Sequence, residues 1–250
     1  EVCDKRKIKF TCNKPNGNNI NLNCGALHGN KLLNKIIKSE INYGVAFDGD
    51  GDRAIFASKG YGVIETEKIA MLFFDMLSKK LDKFTVVTSE ISNLAFQHNI
   101  ESCGGTVIET PVGDRFVIEA TDHHNALFGF EPSGHFYFPN SSRSMDGLAA
   151  MLNFSNLITL NLDLNLKLKD LSQYNRIQKN YDIKNNNLID EHKLLESARA
   201  LIDPSNEKLI LRKSMWDPVI RLYYDFKEVN NYDLLETSIY KELNNLGLVK

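Results

Sequence analysis

Apolar residues recur along this chain at two periods, and their alternation lays out the expected elements. "GNKLLNKIIKSE" (29–40) puts Leu32, Leu33, Ile36 and Ile37 at helical spacing. Short apolar runs flank it: "IKFTC" (8–12) and "YGVAF" (43–47) read as strands, and "AIF" (54–56) as the start of another. Downstream, "EKIAMLFFDMLSKKL" reads as helix and "FTVVTSE" as a buried strand, followed by "SNLAFQHNIESCG" as a helix capped by Ser92. "GTVIETPVG" is a strand running into a turn, "DRFVIEATDHH" a helix, "ALFGFEPSGHFYF" a strand–turn–strand, and "SMDGLAAMLNFSNLITL" a helix. Such alternation argues for α/β layers, with strands covered by helices.

The pattern changes near residue 165. "NLDLNLKLKDLSQY" and the Asn-rich 185–187 stretch are polar and read as a linker into a new unit. That unit runs strand, helix ("DEHKLLESARALI"), strand ("KLILRK"), strand ("VIRLYYDF") and final helix ("YDLLETSIYKELNNLGL"), an α+β module with antiparallel strands.

Four polar clusters interrupt the apolar elements. In "GVAFDGDGDRAIF" (44–56), Asp48, Asp50 and Asp52 alternate with glycines between two strand-like runs. A reversing turn needs only one or two polar residues, so three carboxylates call for another account. A solvated acidic loop is one. A calcium loop of the EF-hand type is a second, and it fails: Arg53 stands where glycine is required, Lys59 where a glutamate is, and a strand precedes the loop. A magnesium site is the third, because that ion favours a few carboxylates plus phosphate oxygens, and the guanidinium of Arg53 suits a phosphate. The second cluster, "TPVGDRF" (110–116), carries Asp114 and Arg115, for which a plain surface ion pair is an equal reading. In the third, "FGFEPSGHFYF" (128–138), Glu131 and Ser133 have the types to hydrogen-bond vicinal sugar hydroxyls, and His135 to move a proton near neutral pH. In the fourth, "LRKSMWDPVIR" (211–221), Arg212, Lys213, Ser214 and Arg221 could cradle a phosphate.

Composition narrows the partners. The net charge is −2, with no long basic run, so neither nucleic acid nor an anionic membrane is expected as a partner. No apolar stretch approaches the roughly 20 residues that cross a bilayer. Cys3, Cys12, Cys24 and Cys103 lack metal-type C-x-x-C spacing and read as free thiols of a cytoplasmic protein. The first residue is Glu1, and the opening segment lacks a signal-peptide core, so an N-terminal part of the parent protein is expected to precede it.

Together these clusters resemble the α-D-phosphohexomutase family. "FDGDGDR" is similar to its magnesium loop, "GFEPSGH" to its G-E-x-S-G-H sugar loop, and "RKSMWDPVIR" more loosely to its R-x-S-G-T-E-P-x-x-R phosphate loop. "KPNGNNINLNCGALH" (14–28) resembles P-[DN]-G-x-N-I-N-x-x-C-G-S-x-H, which points to the glucosamine branch. The resemblance implies Mg2+ on Asp48, Asp50 and Asp52, and catalytic roles for Arg53 and His135. It places Glu131, Ser133, Asp114, Arg115, Arg212, Ser214 and Arg221 on a phosphorylated hexose or hexosamine. It implies three-layer α/β phosphohexomutase domains: part of the second over 1–58, the third over 59–165, then a small α+β domain over 166–250. The implied reaction interconverts glucosamine 6-phosphate and glucosamine 1-phosphate through a phosphoserine and a bisphosphate. Phosphomannomutase or phosphoglucomutase activity is an alternative.

Three departures bear on that implication. No T-A-S-H-N-P serine loop occurs in these 250 residues, so the N-terminal domain that carries it would be a required partner. Met215 and Trp216 replace the glycine and threonine of the phosphate loop, and "ETEK" (65–68) replaces a usual G-D-Q. A non-catalytic binder of phosphosugar or metal is therefore the competing reading. A phosphatase with an aspartate nucleophile fits poorly, because it wants D-x-D-x-T directly after a strand.

Overall fold

The computed structural model describes residues 8–79, 83–160, 163–171, 174–183, 201–214, 217–228 and 232–245. It divides into two compact units, one of residues 1–92 with 99–171 and the other of 93–98 with 172–250.

In the first unit, α1 (Gly29–Ile37) packs on a three-stranded antiparallel sheet of β1 (Tyr43–Phe47), β2 (Ala54–Ser58) and β3 (Gly62–Ile64). Phe47 pairs with Ala54 in the β1–β2 register, so residues 48–53 form the hairpin connection. After α2 (Thr66–Leu77), a second sheet is built from β4 (Thr85–Ser89), β5 (Thr106–Thr110), β6 (Gly129–Phe130) and β7 (Phe136–Tyr137), in the order β5-β4-β6-β7. β5, β4 and β6 run parallel, joined through α3 (Leu94–Ser102) and α4 (Asp114–His123), and β7 returns antiparallel. α5 (Gly147–Thr159) and α6 (Leu164–Asp170) complete the unit.

Aromatic packing joins the two sheets. Phe56 on β2 lies 6.4 Å from Phe136 on β7, 6.5 Å from Phe73 on α2 and 4.8 Å from Phe154 on α5, centroid to centroid. Phe56, Phe73 and Phe136 are each at most 1% exposed. Buried aromatic pairs contribute about 0.5–1.5 kcal/mol beyond their burial. This core fixes the start of β2 against the start of β7, where two of the polar clusters stand.

The second unit is an antiparallel sheet of β8 (Asn175–Asp182), β9 (Glu207–Lys213) and β10 (Val219–Phe226), in the order β8-β10-β9. α7 (Tyr232–Asn245) buries Leu235, Ile239 and Leu243 against it, one face at four-residue spacing. Asp225 is 1% exposed, accepts two bonds from Arg176 (2.6 and 2.7 Å), and takes the Leu94 N–H at 2.9 Å. Among the described residues no helix is long and apolar enough to cross a membrane.

Several local expectations change. "IKFTC" is not a strand: residues 8–12 form none, and Ile8 and Phe10 are exposed. β3 leaves no mark in the sequence pattern, because its three residues are too few to show a period. Ser92 does not cap α3; its hydroxyl meets Thr88, and the Asn93 side chain accepts the Ala95 N–H at 3.0 Å. The polar stretch after 160 contains α6, with Leu164 and Leu168 fully buried, and the compact units divide after Leu171. The helix expected over 190–202 lies outside the described residues except at its end, and so do Met215 and Trp216.

Candidate active site

The acidic loop folds as a tight connection. Gly51 adopts φ 82°, a left-handed backbone that favours glycine. One carboxylate oxygen from each of Asp48, Asp50 and Asp52 lies within 4.8 Å of the others. Arg53 closes the loop: its backbone N–H donates to Asp48 Oδ1 at 3.2 Å, and its Nε approaches Asp48 Oδ2 at 2.8 Å. That contact is an ion pair without hydrogen-bond alignment.

Burial raises the Asp48 carboxyl, but the Arg53 N–H, a hydrogen bond with Asp52 and the Arg53 charge outweigh it and hold it below the usual value. Asp52 moves the other way. Burial raises it, His135 opposes, and Asp48 and Asp50 add to the rise. Asp52 Oδ1 is buried with no hydrogen-bond partner, its nearest cation being Arg53 Nε at 3.8 Å. Three oxygen donors at close range, one of them orphaned, fit a small hard cation such as Mg2+.

The loop over residues 128–138 reaches the same place. Arg53 and His135 form an isolated antiparallel β-bridge, with Ala54 N–H donating to the Gly134 carbonyl at 2.9 Å. His135 Nε2 lies 3.3 Å from Asp52 Oδ2, and its Nδ1 is 2.8 Å from Ser133 Oγ and 3.3 Å from Glu131 Oε2. Glu131 is 5% exposed, and its other oxygen accepts the Gly113 N–H at 2.9 Å. Asp48, Asp50, Asp52, Arg53, Glu131, Ser133 and His135 thus form one connected group.

Asp114 and Arg115 open α4, the helix expected over "DRFVIEATDHH". Arg115 is 79% exposed and pairs with Glu119 at 2.7 Å; the contact to Glu131 from that segment comes from the Gly113 backbone. In the second unit, Arg212 and Arg221 face each other across β9 and β10. Ser214 is buried, its oxygen accepts the Asp217 N–H at 3.2 Å, and Asp217 accepts a bond from Arg221 at 3.3 Å. Like charges opposite one another in a sheet are destabilising, and a bound anion would relieve this pair.

Sequence reasoning missed the backbone roles of Gly113 and Gly147, whose N–H donates to the Gly51 carbonyl at 3.0 Å. It also missed that Ile20, Asn21, Ala26 and Leu27 line a cleft of about 390 Å³ with Asp48, Gly49, Asp50 and Arg53. No local pattern announces these contacts, although "NINLNCGALH" had marked the segment by resemblance.

Parallel strands under helices, an acidic hairpin loop and a Glu–Ser–His loop bridged to it define a class. Residues 65–178 match the family model of the phosphoglucomutase/phosphomannomutase alpha/beta/alpha domain III. Those residues are a domain of the phosphoglucomutase/phosphomannomutase family, and most of the chain is similar to phosphoglucosamine mutases.

Among curated relatives it is similar to phosphoglucosamine mutase of Solibacter usitatus, 40% identical over 143 residues (56% of this chain, 32% of the relative). Phosphoglucosamine mutase of Campylobacter hominis is 32% identical over 218 residues, covering 86% of this chain and 49% of the relative. The chain therefore spans half or less of the length of these relatives. A phosphoglucomutase/phosphomannomutase family protein from Burkholderia thailandensis superposes with TM-score 0.72 at 19% identity, over 90% of this chain and 53% of that one. Aspergillus fumigatus N-acetylphosphoglucosamine mutase, solved with GlcNAc-6P and magnesium, does so with TM-score 0.67 at 16% identity, over 88% and 56%.

Proposed function

We propose that this chain carries the metal, sugar and C-terminal phosphate loops of a phosphoglucosamine-mutase-type isomerase, which interconverts glucosamine 6-phosphate and glucosamine 1-phosphate. The observation that carries this reading is the bridge between the acidic and sugar loops, with His135 Nε2 3.3 Å from Asp52. An isolated acidic turn has no need of a Glu–Ser–His loop with a buried glutamate beside it. Asp48, Asp50 and Asp52 would hold Mg2+, which neutralises charge on a transferring phosphoryl group when bound.

The remaining roles fall to the chain's own residues. Glu131 and Ser133 accept and donate hydrogen bonds to adjacent sugar hydroxyls. The Gly113 N–H holds one Glu131 oxygen in place, so that the carboxylate meets the sugar pre-oriented. His135, 13% exposed, can take a proton from a sugar hydroxyl and hold it on the Asp52 side at Nε2. Arg53 borders the cleft and supplies positive charge to an incoming phosphate. Arg212, Ser214 and Arg221 bind the phosphate that is not being transferred. Asp114 and Arg115 contribute after Arg115 releases Glu119. The phosphoserine comes from a partner domain, and a soluble phosphosugar substrate suits a cytoplasmic enzyme.

The chain, assayed together with a phosphoserine-bearing first domain, should form glucosamine 1-phosphate in a coupled assay that requires Mg2+. Absence of turnover with every hexose and hexosamine phosphate would overturn the proposal. The competing reading, a non-catalytic phosphosugar binder, is motivated by the missing serine loop and by Met215 and Trp216. It expects saturable glucosamine 6-phosphate binding in calorimetry with no turnover under the same conditions.

A further inference from the structure

The "TPVGDRF" cluster ends on a residue to which the proposed reaction gives no task. The chain has 14 phenylalanines, and among the described residues Phe10 and Phe116 are the exposed ones. Phe116, 46% exposed, lies in the first turn of α4. That helix buries Val117 and Thr121 instead, so its inward face is complete without Phe116.

Helical side chains tilt toward the helix N-terminus, and the Phe116 ring accordingly lies against Gly113. A Cβ on Gly113 would come 3.2 Å from Phe116 Cδ2, and the backbone there has φ 141°, a value that favours glycine. The same glycine donates its N–H to Glu131 Oε1 at 2.9 Å. One residue thus touches both an exposed aromatic ring and the buried carboxylate of the Glu–Ser–His loop. All three stand at one end of the sheet. β5 ends at Thr110 and β6 at Phe130, and both run parallel to β4. Gly113, Phe116 and Glu131 therefore gather beyond the carboxyl ends of parallel strands, where open α/β sheets bind their ligands.

We propose that Phe116 is the stacking platform for the hexosamine ring, a specificity-determining contact of the sugar site. This role rests on the proposed binding of sugar hydroxyls by Glu131 and Ser133. A glucosamine ring carries its hydroxyls and amine around its rim and its C–H bonds on its faces. The rim needs hydrogen-bond donors and acceptors, which Glu131 and Ser133 supply. A face needs apolar surface, and the negative π face of an aromatic ring attracts C–H bonds as well as covering them. Phe116 supplies that surface beside the carboxylate. The pairing selects a cyclic phosphosugar over a phosphate that has no ring face to cover.

The test titrates the whole 250-residue chain in calorimetry, with glucosamine 6-phosphate and separately with inorganic phosphate. Phe116→Ala should weaken glucosamine 6-phosphate binding about tenfold, the worth of the half of a phenyl side chain that a sugar would cover. Inorganic phosphate binding and the melting temperature should not change. Phe116→Tyr, which keeps the ring, should keep the affinity, and Phe116→Leu should fall between the two. At saturating ligand, NMR saturation of the protein's aromatic protons should pass to the sugar C–H protons, and far less of it should pass in Phe116→Ala. Equal glucosamine 6-phosphate affinity in Phe116→Ala and the unsubstituted chain would overturn the platform and leave the proposed function standing. Equal losses for glucosamine 6-phosphate and inorganic phosphate would also overturn it, because the substitution would then have damaged the site as a whole. If the unsubstituted chain binds no hexose or hexosamine phosphate, the proposed function fails and the platform with it.

Discussion

Gly147→Ala tests whether the start of α5 and the acidic loop are one mechanical unit. Gly147 is the first residue of α5, and its N–H donates to the Gly51 carbonyl at 3.0 Å. A Cβ there would lie 2.8 Å from the oxygens of both Gly51 and Arg53, and 2.9 Å from the Arg53 carbonyl carbon. These neighbours are backbone, so no side-chain rotation relieves the clash. Overpacking of this kind costs about 1–3 kcal/mol. Alanine's helical advantage, at most about 1 kcal/mol and least in a first turn, offsets part of it. The net loss is about 1–2 kcal/mol, or roughly 2–8 °C in melting temperature for a unit of this size.

The displaced carbonyls flank Asp52 and follow Asp50. The substitution should therefore also weaken Mg2+ binding, by about tenfold for a shift of about 1.4 kcal/mol. Differential scanning calorimetry with and without Mg2+ reads both effects, with Leu148→Ala at the exposed neighbouring position as the control. An unchanged melting temperature would refute the packing argument. A lowered melting temperature with unchanged Mg2+ affinity would refute the coupling to the carboxylates.

Asp50→Asn, at the most exposed of the three carboxylates, should lower Mg2+ affinity at least about tenfold in calorimetry while leaving metal-free stability within about 0.5 kcal/mol; equal affinity would remove Asp50 from the ligand set. Asp225→Ala removes the buried carboxylate that accepts two bonds from Arg176 and one from the Leu94 N–H, and should cost the second unit about 3–5 kcal/mol in urea unfolding. A loss under about 1 kcal/mol would mean that water replaces the carboxylate. Burial first, then the Asp122 carboxylate that accepts its hydroxyl, push Tyr137 up to about 12; burial and the Tyr232 neighbour do the same for Tyr181. Their folded values exceed the unfolded one, so the stability they contribute is complete below pH of about 10 and is lost as pH rises toward about 12. Phenolate absorbance should show a late-titrating fraction, and all nine tyrosines ionising together near pH 10 would contradict it.

Much of the site was legible because its chemistry is local. The three aspartates and Arg53 fall within six residues, and Glu131, Ser133 and His135 within five. Glycines in both stretches announce loops rather than strand interiors. Ser92 misled because Asn93 beside it has an equal capping side chain, and the choice between them depends on Thr88, which engages the serine. "IKFTC" misled because a short apolar run reads the same whether or not a neighbouring strand exists to pair with it. Arg115 could have belonged to a site or a surface pair. Its Glu119 partner, one helical turn along, holds the exposed guanidinium on the helix surface.

The sequence by itself determined the periods of the helices and strands and the residue types able to hold a cation, a sugar hydroxyl or a phosphate. Only the tertiary structure decided that Arg53 and His135 bridge, that Gly113 orients Glu131, and that Ile20 and Asn21 wall the cleft over the acidic loop. Periodicity reports which face of an element is buried, because each residue's burial repeats with the turn or the pleat. It cannot report which distant element covers that face. Here the packing of Phe56 against Phe136 sets that partner and brings the two loops together.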